Sequence, residues 1–391
     1  MLTQTSARPT LLIMAMFGLQ PVAMGGWFAL IPFVQDKLDL SKSALAIALL
    51  GMSIGTVLTL QFAGRLVDTI GPRKIYMVLL PVQAGISLLP LAAPTQMTLF
   101  ASLFVLGSAI AFLEVALNLY AGRLERSLGR LIMNRCHGFW SLGLGAGSLF
   151  VTLLIARMSP SAALGFVVSV SVVAGVLAAM ALPKIEGTNP SSMPARRKLK
   201  DVPPTVLVIA LVLIWVTMTE GAMADWSAVY MSEILPEGAT GAGYAVTLYA
   251  AFITLGRFLG DAMNRMAGPV RLARMTIGLA IVGIVILAIP VSPPIAYLGF
   301  ALVGLGVSTT FPLGMSAVSG LQPAYQAANI SIVTTIAIMG FLVGPPMIGF
   351  LADAIHLRAG IAALIPGLLV SFWLAGSLNH GNLGESESDR L

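Results

Sequence analysis

Residues Ala23-Met24-Gly25-Gly26-Trp27-Phe28-Ala29 return 199 positions later as Ala222-Met223-Ala224-Asp225-Trp226-Ser227-Ala228, with four of the seven identical. Each copy sits inside a long apolar run, and most of the chain consists of such runs. Of 391 residues, 57% are apolar and only 10% charged, where a soluble domain carries about 25% charge. The mean hydropathy is +0.93, and the chain reads as an integral membrane protein. Runs broken by Gly, Pro or charge clusters fall at 10–35, 43–64, 75–93, 97–121, 134–156, 161–182, 204–231, 241–260, 272–291, 295–319, 327–352 and 358–378. A spanning helix takes about 20 apolar residues, so twelve use roughly 240 and leave no room for a sizeable soluble domain. The first run, Thr10 to Val34, is too long for a signal-peptide core and lacks a small-residue cleavage site, so it is expected to remain as the first helix.

The repeat extends beyond one helix. Gly64-Arg65 and Gly71-Pro72 after the second run are echoed by Gly256-Arg257 and Gly268-Pro269 after the eighth. Between the sixth and seventh runs lies the longest polar stretch, Lys184 to Pro203, which includes Arg196-Arg197-Lys198-Leu199-Lys200. The expected fold is therefore all-α: twelve transmembrane helices in two pseudo-symmetric six-helix bundles. Its expected parts are an N-terminal bundle at 1–183, a linker at 184–203, a C-terminal bundle at 204–378 and a tail at 379–391. Duplicated halves of this kind hold a substrate site between them, near the bilayer midplane.

Loop charges set the orientation. Numbering the loops alternately puts eighteen of the 22 Lys and Arg on one side, leaving only Lys37, Lys42, Arg157 and Arg358 on the other. By the positive-inside rule both termini are expected in the cytoplasm, across a bacterial inner membrane. The net charge of +6 then follows from insertion and from anionic lipid at the inner leaflet, and nucleic acid is not an expected partner. A single Cys136 and three scattered His offer no disulfide framework and no zinc pair. No cofactor and no enzymatic activity are expected. An ATP-driven pump is disfavoured because the chain has no Gly-x4-Gly-Lys-[Ser/Thr] phosphate loop.

The clearest intramembrane acids are Glu114 and Glu220, and counting Arg257 with its loop leaves no Lys or Arg at their depth. An acid near the bilayer centre costs on the order of 3 kcal/mol on insertion scales, so such residues face a bundle interior or an aqueous cavity and carry function. A carboxyl taken out of water without a cationic partner can bind and release a proton in the physiological range. Both glutamates are candidates for proton coupling. Asn118 lies on the same helical face as Glu114, placed to pair with it or to share a polyhydroxyl substrate. Gly221 can loosen the helix beside Glu220. Asp225 is five residues further on, about 140° around the helix, and is expected to line the outer mouth of the substrate cavity or to pair locally with a polar group.

The two repeat tryptophans, Trp27 and Trp226, can wall a cavity or close its outer end; interfacial anchoring accounts for them as well. His137 and Trp140 face together at i and i+3, and Gly143, Gly145 and Gly147 permit close helix approach. Gln20, Tyr249 and Thr309-Thr310 complete the polar candidates for the cavity.

Gly64-x3-Asp68-x2-Gly71-x-Arg73-Lys74 resembles the cytoplasmic loop signature of the major facilitator superfamily, and Gly344-Pro345-Pro346 with Gly349-x2-Ala352-Asp353 agrees with it. The resemblance implies that Gly64, Arg65, Asp68, Gly71, Arg73 and Lys74 form a cytoplasmic gate that holds the outward-facing state closed. Leu113-Glu114-x-Ala116-x-Asn118, followed by Asn134 and Gly138-Phe139, is similar to the fucose-permease-like branch, which includes bacterial rhizopine and sugar carriers. That likeness implies a role for Glu114 in proton coupling and sugar recognition. The chain departs from the branch in helix one, where Gly26-Trp27-Phe28 stand and no carboxylate does. The function expected is secondary transport by alternating access, with protons driving symport of a small polar, sugar-like metabolite. The expected partners are that small molecule, protons and membrane lipid, and the expected state is a monomer. Proton-coupled efflux and a transporter-shaped nutrient sensor remain open as alternatives.

Overall fold

The computed structural model describes residues 7–129, 132–183, 202–236, 239–322 and 325–382. Apart from Val202 and Pro203, the expected linker lies outside the described residues, as do residues 383–391 of the expected tail. Among the described residues, twelve helical spans are long and apolar enough to cross a membrane. They are α1 (Ala7–Lys37), α2 (Lys42–Ile70), α3 (Pro72–Ala92), α4 (Gln96–Leu128), α5 (Met133–Leu154), α6 (Pro160–Ala181), α7 (Pro204–Ile234), α8 (Gly241–Ala267), α9 (Pro269–Ala288), α10 (Pro293–Gly320), α11 (Ala328–Ala354) and α12 (Leu357–Asn379). The chain is a multi-pass membrane protein with the architecture its periodicity implies. Three spans run further than the apolar pattern suggests, α2 to Ile70, α4 to Leu128 and α8 to Ala267. Charged side chains there ride on helices and do not mark the start of loops.

Local chemistry sets the span ends. Ser41 accepts the backbone N–H of Ala44 to cap α2, and Thr95 and Thr98 form a reciprocal capping box at α4. Gly71 (φ 98°) and Gly268 (φ 76°) hold the turns from α2 to α3 and from α8 to α9, each followed by Pro at the first helical position. A left-handed residue and then a ring-fixed φ reverse the chain within one residue. The repeat read from Gly71-Pro72 and Gly268-Pro269 is thus one turn geometry used twice. Four spans are interrupted among the described residues: α1 at Gln20-Pro21, α3 at Ser87-Leu88, α10 at Ser308-Thr309 and α12 at Ala363-Leu364.

The small residues of α5 bring backbones together. A Cβ on Gly143 or Gly147 would strike the backbone of Gly18 or Val22 in α1, and Gly145 faces Ala250 of α8. α1, α7 and α10 are the most enclosed spans, and the two groups of six meet chiefly where α5 packs on α8, α2 on α11 and α1 on α7. We call the side where α1 begins the basic face, because Arg65, Arg73, Lys74, Arg123, Arg126 and Arg265 gather there.

Burial differs between the two faces. Toward the opposite face, one hydrophobic cluster joins both groups through Trp27, Leu45, Leu103, Trp226, Tyr230, Phe300 and Ile348. Toward the basic face there are two separate cores. One is built on Ile13, Phe17, Tyr76 and Leu117 in the first group, the other on Val206, Leu213, Leu313 and Val333 in the second. The groups are fused at one end, and at the other their cores separate while α5 and α8 stay in contact, Asn134 donating to Asp261 at 3.0 Å and Phe139 packing edge-on to Phe258.

Candidate functional site

Where the fused half ends, a cavity of about 220 Å³ opens between the groups. α1 contributes Met24 and Phe28 to its wall, α2 Ser53 and Thr56, α4 Glu114, α5 Trp140 and Ser141, α7 Glu220 and Asp225, α8 Tyr249 and Arg257, and α11 Phe341. A larger space of about 660 Å³ continues toward the basic face between α5, α8 and α10, and Arg257 belongs to both walls. The site is therefore an apolar chamber with three carboxyls and one guanidinium, reached from the basic face.

Arg257 was assigned by sequence to the loop after helix eight, and the structure corrects that. It lies ten residues before the end of α8, about 15 Å from the helix end at 1.5 Å per residue. Its side chain is only 14% exposed. Nη1 donates to Ser141 Oγ at 2.6 Å and to the His137 carbonyl at 3.3 Å, both on α5 of the other group. Nη2 stands 3.7 Å from Glu220 Oε1 on α7, a charge contact without a hydrogen bond, and that oxygen has no other partner. One guanidinium thus ties the two groups together and balances Glu220. Glu220 is not a lone acid.

Glu114 is different. Its carboxyl faces the cavity, and among the described residues no hydrogen bond or ion pair reaches it. Asn118 does not pair with that carboxyl. It donates back to the Glu114 backbone carbonyl at 2.9 Å and lies outside the cavity wall, the local i−4 bond open to an Asn inside a helix. Asp225 lines the chamber, but at its closed end and not at an open mouth, buried and with Oδ1 unpartnered, so the local polar pairing also expected of it is not seen at that oxygen. α7 is one continuous helix, and it presents Glu220, Ala224, Gly221 and Asp225 across a 140° arc. Both acids therefore reach one chamber at different depths.

Of the other sequence candidates, Trp140 and Tyr249 line the wall, and Tyr249 leans over the Glu220 carbonyl at 3.5 Å. Gln20 does not line it. Fully buried beside Gln83, it accepts the Trp140 indole N–H at 3.1 Å and so orients that ring. Trp27 and Trp226 are fully buried in the cluster that closes the opposite face and do not touch the chamber. Thr310 starts the second segment of α10, buried and outside the wall. Sequence reading missed Ser53, Thr56, Ser141 and Phe341, whose only signal was their place on the faces that α2, α5 and α11 turn inward.

The loop residues cluster as neighbours but stay within the first group. Asp68 is ion-paired to Arg123 of α4, and Arg73 donates to the Met180 carbonyl at the end of α6 at 2.7 Å. Arg65 and Lys74 are exposed, and Gly64 and Gly71 leave open space around the turn. Nothing in this set crosses to the second group among the described residues. At the opposite face the groups are latched. Asp353 of α11 accepts the backbone N–H groups of Lys42 and Ser43, each at 2.9 Å, and the Ser43 hydroxyl. A carboxylate thus caps the positive N-terminal end of α2. Lys42 Nζ also contacts Glu233 of α7 at 2.8 Å.

A family model described as Major Facilitator Superfamily matches residues 12–328. An uncharacterised MFS-type transporter of Yersinia pestis is 30% identical over 363 residues, covering 89% of this chain and 91% of that one. Among solved structures, a variant of the nucleoside transporter NupG superposes with a TM-score of 0.75 at 12% identity, covering 95% of this chain and 99% of that one. FucP in its outward conformation gives 0.62 at 20% identity, over 94% of this chain and 98% of that one.

Proposed function

This chain belongs to the major facilitator superfamily and is a secondary transporter by fold, and from that premise we propose that it couples protons to the symport of a small polar, sugar-like metabolite. The observation that carries the reading is the Glu114 carboxyl, open to a cavity between the two groups and without a cationic partner. A group in that position takes a proton from one side and releases it to the other as the halves rock. Glu220 is the second coupling acid. When it is protonated, Arg257 loses the charge it faces and keeps only its neutral partners on α5. Proton loading then changes how firmly the groups are tied. FucP, a fucose:proton symporter, and NupG share the fold at identities too low to assign a substrate to this chain. The reading rests on the chamber.

The basic face is taken as cytoplasmic, since positive charge gathers on the inner side, with both termini there and the membrane a bacterial inner membrane. The vestibule then opens inward and the Asp353 latch closes the outside. Residues 1–183 and 204–378 are the rocking halves. The apolar share of the wall favours, as a second reading, export of an amphipathic compound by the same acids.

The test adds sugars, polyols and other small polar compounds to weakly buffered, de-energised cells producing the protein, with external pH recorded. Alkalinisation on adding one compound supports symport. Acid release on adding a compound to cells loaded with it, together with no uptake signal, moves the reading to export.

Two gating predictions follow from the same frame. Asp68→Asn is expected to cut transport to a small fraction of wild type while leaving the amount in the membrane unchanged. Wild-type rates in that variant remove the gating role of the loop. Asp353→Asn removes one charge from the outer latch and is expected to populate states opened on the outside. Cys136 is fully buried, so spin labels on cysteines introduced at Leu40 and His356 report the gap selectively. An unchanged distance distribution in Asp353→Asn dismisses the latch.

A further inference from the structure

The charge balance of the chamber leaves one group without a role in proton coupling. Three carboxyls, Glu114, Glu220 and Asp225, share the wall with a single cation, Arg257, which already faces Glu220 and bonds α5. Asp225 lies five residues beyond Glu220, about 7.5 Å further from the basic face. It is 6% exposed, its Oδ1 meets no hydrogen-bond donor, and it takes part in no ion pair among the described residues. A buried carboxylate with no partner is costly and is satisfied either by a proton, as at Glu114, or by a cation that the substrate brings.

The surroundings define which cation. Tyr249 reaches the Glu220 carbonyl with its hydroxyl, at 3.5 Å, while Asp225 and Phe28 each lie nine residues from the opposite-face ends of α7 and α1 and line the far part of the chamber. That level is its blind end, sealed by the cluster around Trp27 and Trp226. Met24 and Phe28 give an apolar and aromatic wall with few oxygens. A bare metal ion needs a shell of oxygen ligands that this level does not supply. An ammonium group on a carbon skeleton is satisfied by one carboxylate and an aromatic face.

We propose that the chamber takes a substrate carrying a protonated amine, with Asp225 as the receptor for the ammonium group and Phe28 as its aromatic flank. This rests on the reading of the chamber as the transport site and narrows its substrate class. The amine enters first into the blind end, and the rest of the molecule lies toward Trp140 and the Glu220 and Arg257 level. Glu114 and Glu220 remain free to carry the proton.

The test is binding to the purified full chain in detergent, read by tryptophan fluorescence, since Trp140 is in the chamber wall. The probes are matched pairs: galactose with galactosamine, and cyclohexanol with cyclohexylamine. At least one amine is expected to bind about tenfold or more tighter than its hydroxyl counterpart. Asp225→Asn is expected to shrink that preference to within about twofold, and Asp225→Glu, which keeps the charge, to retain it. Equal binding within both pairs, no amine binding at all, or a preference that survives Asp225→Asn overturns the proposal. The preferred amine is then offered to proteoliposomes. Its uptake without proton movement overturns proton coupling and leaves the amine receptor standing, so the two readings fail separately.

Discussion

Cells producing Glu114→Gln are expected to lose substrate-driven proton uptake and uphill accumulation entirely, while the protein stays in the membrane in wild-type amount. The substitution keeps shape and removes only the proton site. No hydrogen bond or ion pair to the Glu114 carboxyl exists to be broken among the described residues. Leu113 and Leu117, its buried neighbours on α4, keep their packing. Removing a charge from the bilayer interior lowers an insertion cost on the order of 3 kcal/mol, so folding is not the weak point. Exchange of labelled for unlabelled substrate down no gradient is expected to persist, because rocking of the halves does not itself require the charge. Loss of accumulation with retained exchange is the signature of uncoupling. Unchanged pH dependence and unchanged accumulation in Glu114→Gln sink the coupling assignment.

The fold was legible because each spanning segment must bury its backbone polar groups in its own helix, which forces long apolar runs that composition reveals directly. The repeat was legible for the same reason that Gly71-Pro72 and Gly268-Pro269 build one turn twice. The site was legible only in part. Glu114, Glu220, Trp140, Asp225 and Tyr249 stand in the chamber wall. A carboxyl or a large polar ring in an apolar helix is conspicuous, because it has to face something other than lipid. Arg257 escaped because a positive charge near the end of an apolar run looks like a loop marker, and only the continuation of α8 to Ala267 shows that it is inside. The apolar Phe258-Leu259 that follow it were the available signal.

Other misassignments depend on conformation and not on composition. Trp27 and Trp226 were read as wall or plug, and they are plug in a structure fused at the opposite face. Asn118 shares a helical face with Glu114, yet its amide is claimed by the nearer backbone carbonyl. Helical periodicity gives the direction of a side chain and says nothing of the local bond it prefers.

Arg257→Gln is expected to lower the thermal midpoint of the purified protein clearly, and the double variant Arg257→Gln with Glu220→Gln to recover most of that loss. Both side chains are only 14–15% exposed, so solvent screens the pair weakly. Removing one member of such a pair leaves an uncompensated buried charge and costs about 3–5 kcal/mol, whereas removing both leaves two neutral hydrogen-bonding groups. The 3.7 Å separation is longer than a charge-assisted hydrogen bond, which places the expected loss at the lower end of that range. Transport separates the stability of the pair from its function. The double variant is expected to fold and to bind substrate, but to lose the link between Glu220 protonation and the hold of Arg257 on Ser141. Its accumulation ratio should therefore fall even though its midpoint recovers. A double variant that melts like Arg257→Gln alone shows that the bonds to α5, and not the charge of Glu220, set the stability. A double variant that accumulates substrate like wild type shows that the pair is structural and leaves Glu114 as the sole coupling acid.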